Sequence, residues 1–241
     1  MNISDIIRLK IGRLSRGYVF TFASFVDKVE SKEGLVKALN RLAASGEIVK
    51  ISKGKYYRPE QSPFGELPPN QYQVVKDLLE RDGRIEGYLT GLSIYNTLGL
   101  TTQVSNTIQI GRNEVRSSMK RGKYSISFVK QKNTITRENI PILQLLDVLR
   151  FIKKIPDSKI DQSCKVIQSL MSKLSEKDLE VLVRLALKYP PSTRALLGTI
   201  LDSLGKVRIT EKLRKLLNPI TIYKIPGVSG VLSSASEWSI K

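Results

Sequence analysis

Residues 32–57, KEGLVKALNRLAASGEIVKISKGKYY, constrain the fold more than any other stretch of the chain. Leu35, Leu39 and Leu42 recur at three- and four-residue spacing, with Val36 and Ala43 beside them, the pattern of a helix that buries one face. After Gly46 the period falls to two, in EIVKI and KYYR on either side of Ser52-Lys53-Gly54. The Lys-Gly pair suits a tight turn with a positive φ, so an amphipathic helix runs straight into a hairpin.

Upstream, SDIIRLKIGRL predicts a first helix with Ile6, Ile7, Leu9, Ile11 and Leu14 as its apolar residues, and TFASFVDKV predicts a short second one capped by Thr21. Ser31 falls at the N-cap of the helix over 33–44, where its hydroxyl serves a free backbone N–H. Helix, short helix, turn, helix, hairpin is the order of a winged helix-turn-helix. The side of the third helix away from the leucines collects Glu33, Lys37, Asn40, Arg41 and Ala44. Asn pairs with adenine, Arg with guanine or phosphate, and Ala allows close approach, which together suit a major groove. Such a face on an isolated helix is more simply a solvated one. The hairpin tip changes the balance, because Lys53 and Lys55 beside that face make a natural phosphate contact, and of the alternating pair Tyr56 and Tyr57 one points to the core and the other, Tyr57, to the DNA backbone. The expected DNA-binding set is Ser31, Lys37, Asn40, Arg41, Lys53, Lys55 and Tyr57. Lys10, Arg13 and Arg16 are either further phosphate contacts or plain surface charge.

Composition agrees with a polyanion partner. Lys and Arg total 40 against 22 Asp and Glu, a net charge of +18, and residues 1–58 hold 12 basic and 5 acidic residues, the densest positive segment. There is no His, which removes His-based triads, His acid–base chemistry and His metal ligation. The single Cys164 reads as a small buried thiol. Charges interrupt the apolar pattern of the N-terminus and of IPILQLLDVLRFI, so neither a signal peptide nor a membrane span is expected and the chain reads as cytoplasmic.

The domain plan follows from punctuation. Residues 1–60 form the winged helix. The proline-rich RPEQSPFGELPPN marks a linker over 61–69. Residues 70–135 are mixed: a helix from Asn70, a second in TGLSIYNTLG capped by Thr90, then NTIQIG, EVRSSM and KYSISFVKQ as a small antiparallel meander broken at Gly111 and Gly122. Residues 136–241 are helical with an irregular tail docked through Trp238; Ser175 with Asp178 forms an acidic capping box, and Pro190-Pro191 separates two helices. The fold class is α+β.

No enzyme chemistry is expected. Ser-x-x-Lys occurs at Ser52/Lys55, Ser117/Lys120 and Ser203/Lys206, three unrelated contexts in a Lys- and Ser-rich chain, and no phosphate-binding loop is present. No cofactor or metal is implied. Arg112, Arg116, Lys120, Arg121 and Lys123 crowd one expected hairpin; they form a second basic patch facing DNA, RNA or an acidic protein, or a charged edge that resists strand pairing.

These residues carry a family resemblance. RGYVFTFASFV, then Ser31 followed by LNRLAASGEIVKISKGKYY, then YLTGLSIYNTLGLTTQV and a β-rich IQIG…ISFVK resemble the AbiEi-type antitoxins of type IV toxin–antitoxin systems over about the first 190 residues. The winged-helix pattern alone is widespread; its combination with GLTTQV is more specific. The resemblance implies a winged helix that represses its own promoter at inverted repeats, and a remainder that counters a nucleotidyltransferase toxin, directly or indirectly. It places promoter reading on Lys37, Asn40, Arg41, Lys53 and Lys55, while the basic extension past Gly205 exceeds the family plan. Oligomeric state is open, a monomer that pairs on DNA being one form. The alternative is a stand-alone winged-helix regulator with a ligand-binding or dimerising C-terminal half.

Overall fold

A computed structural model describes residues 3–28, 31–63 and 65–241. It divides into two compact units, one comprising the chain up to Leu78 together with Met119–Ser125, the other Leu79–Ser118 with Ile126–Lys241.

In the first unit, α1 (Ile3–Gly12) leads to β1 (Val19–Thr21), a 3-10 helix at Phe22–Lys28, α2 (Lys32–Ala44), β2 (Val49–Ser52) and β3 (Lys55–Tyr57). The strands order β1-β3-β2, with Val19 opposite Tyr57 and Val49 opposite the same residue from the other side. The expected second helix is thus a 3-10 turn preceded by a strand. α2 forms where its leucine period predicts, and the Ser31 hydroxyl accepts from the Gly34 N–H at 3.1 Å. Leu35, Ala38, Leu39 and Leu42 bury its inner face against Ile7 and Ile11 of α1 and Phe20 of β1. Phe20 meets Phe25 edge-on at 5.5 Å and stacks on Tyr56 at 6.3 Å, an aromatic clamp between the 3-10 turn and the hairpin. Gly54 turns the hairpin with φ +72°.

The stretch expected as a linker carries a hairpin, β4 (Glu60–Ser62) with β5 (Gly65–Leu67), and the division between units falls after Leu78, inside α3 (Gln71–Leu79). Proline stops helices but tolerates such short edge strands.

The second unit begins with the small hairpin β6 (Glu80–Arg81) and β7 (Arg84–Ile85), followed by β8 (Gly87–Thr90), α4 (Leu92–Tyr95) and β9 (Thr107–Arg112); β10 (Met119–Arg121) belongs to the first unit, and β11 (Tyr124–Lys130) starts in the first and continues in the second. The sheet order is β10-β11-β9-β8, with β8 and β9 antiparallel. Two expectations are corrected here. Thr90 ends β8 and does not cap α4, whose N-cap is Gly91 at φ +55°. Gly111 does not break the sheet but lies within β9, where a Cβ would meet the Tyr88 ring at 2.5 Å. EVRSSM supplies a loop and only the first residue of β10.

The helices are α5 (Ile140–Arg150), α6 (Ile160–Met171), α7 (Glu176–Ala186), α8 (Pro191–Ser203) and α9 (Val207–Arg214). Ser175 caps α7, accepting from the Asp178 N–H at 3.2 Å and donating to its carboxylate at 2.6 Å. α8 is the central helix, buried from Ala195 to Leu201. The tail docks as expected: Trp238 is buried, donates from Nε1 to Asp202 at 2.8 Å, and lies so close to Gly198 that a Cβ there would stand 2.2 Å from the ring. Among the described residues no helix is long and apolar enough to cross a membrane.

Candidate nucleic-acid interface

The packing of α2 decides what its outer face can do. With its leucine side turned to α1, residues Lys37, Asn40 and Arg41 are exposed, as is Lys53 at the hairpin tip. Among the described residues the side chains of Lys37, Arg41 and Lys53 make no hydrogen bond or ion pair. Neighbouring cations differ: Arg8 pairs with Glu47 at 2.7 Å, Lys10 donates to the Ser24 carbonyl and covers the Phe25 ring, and Arg58 donates to the Gly12 carbonyl. Asn40 is exposed but not idle. Its Oδ1 accepts from the Tyr56 hydroxyl at 2.9 Å, which engages that oxygen, so as placed it offers its N–H2 as a donor rather than a two-sided partner for adenine. Ser31 spends its hydroxyl on the helix cap.

Two expected contacts are corrected. Lys55 is largely buried and ion-paired to Asp77, with burial pushing its ammonium below the usual lysine range and the Asp77 bond opposing that. Tyr57 is buried, its hydroxyl donating to Glu66, and burial first, then that carboxylate, raise its pKa. Neither side chain is available to a DNA backbone. Both faces of β3 are covered, Tyr56 meeting Phe20 and Asn40 and Tyr57 meeting Glu66, which alternation alone does not reveal.

The second basic patch does not hold together. Arg112 is buried and pairs with Glu86. Arg121 is buried and clamps Asp77 through two bonds of 2.6 and 2.8 Å while donating to the Val74 carbonyl. Burial pushes the Asp77 carboxyl up, but the bonds from Arg121 and Lys55 outweigh it and hold the pKa below the usual range. Arg116, Lys120 and Lys123 remain exposed, Lys123 lying over the Tyr124 ring at 5.6 Å. Arg112 and Arg116 belong to one unit, Lys120, Arg121 and Lys123 to the other.

The second unit contains a polar centre absent from the sequence reading. Asp147 is fully buried on α5; its Oδ2 accepts from Tyr88 at 2.6 Å and Thr90 at 2.7 Å, and its Oδ1 from Tyr189 at 2.9 Å. Gln131 donates to both tyrosine hydroxyls at 2.8 Å. Burial raises the Asp147 pKa, against the three hydroxyls, which favour the carboxylate. The available signal was the lone acid inside the apolar run ILQLLDVLRFI. No group of His, Cys, Asp and Glu side chains among the described residues could hold a metal ion.

Helix order and β1-β3-β2 pairing define a protein with a winged-helix first unit and an α+β second unit whose helices surround α8. The chain belongs to a family of unknown function, DUF6088, which matches residues 6–179. It is also similar to the crystal structure of RV2827C protein from Mycobacterium tuberculosis, with 16% sequence identity, a TM-score of 0.53, and coverage of 86% of this chain and 78% of that one. At that identity the likeness shows the fold. No curated protein matches the chain.

Proposed function

We propose that the chain is a cytoplasmic, non-enzymatic antitoxin that binds its own promoter DNA through α2 and the hairpin tip, and counters a nucleotidyltransferase toxin through the second unit. The observation that carries the DNA-binding part is the separation of cations in the first unit. Among the described residues Lys37, Arg41 and Lys53 are exposed and without internal partners, whereas Arg8, Lys55 and Arg121 are engaged. On this reading Arg41 and Lys37 reach base edges or phosphates from α2, and Lys53 is a phosphate contact at the wing. The antitoxin part rests on the resemblance of YLTGLSIYNTLGLTTQV and the strands after it, which lie in the second unit apart from Met119–Ser125.

The test uses the full chain, because Met119–Ser125 belongs with the first unit and truncation after residue 65 would strand it. The chain carrying Lys37→Ala with Arg41→Ala is co-expressed with a nucleotidyltransferase toxin of the kind this reading requires. Loss of promoter repression with growth rescue retained is expected. Loss of repression with no rescue even by the unaltered chain leaves only a transcriptional regulator, and retained repression removes α2 as the reader.

A further inference from the structure

The second unit holds a group of cations that the winged helix does not explain. Lys130 at the end of β11, Lys132, Arg150 at the end of α5 and Lys188 after α7 line a pocket of about 230 Å³ whose floor includes Gln131 and Tyr189. No acidic side chain lines it, and none of the four cations forms an ion pair among the described residues. Some other cations of this unit do: Arg112 has Glu86, Lys206 has Glu176 and Arg214 has Asp202. Four like charges around one cavity repel, and folding gains nothing from bringing them together.

Two of the four, Arg150 and Lys130, are nevertheless held in place, and Lys188 donates to the Lys132 carbonyl at 3.4 Å. Arg150 donates from Nη1 to the Lys130 carbonyl at 3.2 Å and lies 4.9 Å over the Phe151 ring, which leaves most of its five N–H groups unused. Lys130 donates to the Asn113 carbonyl. Beneath them Gln131 and Tyr189 are buried and locked into the Asp147 network, so the floor does not move independently of the core. Pro190 and Pro191 bring the start of α8 to the rim, and the positive end of that helix adds to the same field. The volume is below the roughly 300–1,000 Å³ of sites that enclose a drug-sized ligand, so the pocket suits a phosphoryl group and leaves the rest of a ligand outside. A guanidinium fork with lysines around it is the donor set that phosphate oxygens require.

We propose that this pocket binds a phosphate group, presented by a free nucleotide or by the 5′ end of a nucleic-acid strand. The site is in the second unit and does not depend on the winged-helix reading.

Calorimetric titration of the full chain at low salt tests it with four probes: inorganic phosphate, adenosine monophosphate, a 5′-phosphorylated trinucleotide and its hydroxyl-ended twin. Saturable binding of at least one phosphorylated probe is expected, weakened roughly tenfold or more by Lys132→Ala with Lys188→Ala. Lys165→Ala with Lys173→Ala removes the same charge from exposed positions elsewhere in this unit and leaves binding unchanged. All four lysines are exposed, so the fold survives, as thermal melting will verify. Adenosine monophosphate binding tighter than phosphate identifies the nucleotide as the source; the phosphorylated trinucleotide exceeding its twin identifies the strand end; equal binding of every phosphorylated probe supports a site for the phosphoryl group alone. No saturable binding, or equal weakening by both double variants, overturns the proposal.

Discussion

Replacing Asp147 by Ala and by Asn separates what its carboxylate organises from the charge it carries. The Ala variant strands three hydroxyls: Tyr88 and Thr90, which share Oδ2, and Tyr189 on Oδ1. Tyr189 has a weak second acceptor in the Leu143 carbonyl at 3.4 Å, leaving two hydroxyls without an alternative. At about 1–3 kcal/mol for each stranded group, the second unit loses about 2–6 kcal/mol. Asn keeps the volume and one oxygen, which serves Tyr88 and Thr90 while its N–H2 faces Tyr189, so about 1–3 kcal/mol is lost. The pH dependence has a definite sign. Burial raises the folded pKa of Asp147, so its contribution is full below the unfolded value and is lost as pH rises through the folded one. The stability gap between the unaltered chain and the Asn variant therefore narrows as pH rises. Urea unfolding followed by the single Trp238, which lies in the same unit, measures both effects. An Ala variant within about 0.5 kcal/mol of the unaltered chain, the range of ordinary surface changes, refutes the account of this centre. A gap that widens with pH refutes the titration argument.

Arg121→Ala removes two bonds to Asp77 and one to the Val74 carbonyl. Because the Asp77 side chain is 46% exposed, water replaces part of the loss, and about 1–3 kcal/mol is expected in the first unit. The lowered Asp77 pKa contributes stability present above its unfolded value and lost as pH falls through the folded one, so the same variant flattens the acid limb of unfolding measured by circular dichroism. Gly198→Ala forces a methyl into the Trp238 ring and costs about 1–3 kcal/mol, with a red-shifted Trp238 emission as the indole is displaced. An unshifted emission removes the close approach of α8 to the tail.

Much of the fold was legible because it rests on periodicity. The leucine stripe placed α2, and Ser31, Ser175, Pro191 and Gly54 marked caps and a turn whose chemistry is local. Pairing between distant charges is not local. Lys55 and Arg121 both meet Asp77, Tyr57 meets Glu66, and Arg112 meets Glu86, so a count of basic residues overstated the surface they create. Gly111 looked like punctuation because a glycine that makes room for a ring across a sheet has the same letter as one that ends a strand. In the sequence Asp147 is only a charge interrupting an apolar run, since its partners come from β8 and from the segment after α7, 59 to 42 residues away.

The central claim is that the free cations of α2 and the hairpin tip hold DNA while their paired neighbours do not. Fluorescence anisotropy with a labelled promoter fragment at several salt concentrations tests it most directly. Lys37→Ala and Arg41→Ala should each weaken binding by about 1–3 kcal/mol, and Lys53→Ala should weaken it across sequences and reduce the salt slope by about one. Lys55→Ala and Tyr57→Phe should leave affinity within about twofold. Unchanged affinity in the first three variants, or a larger loss in the last two, contradicts the account.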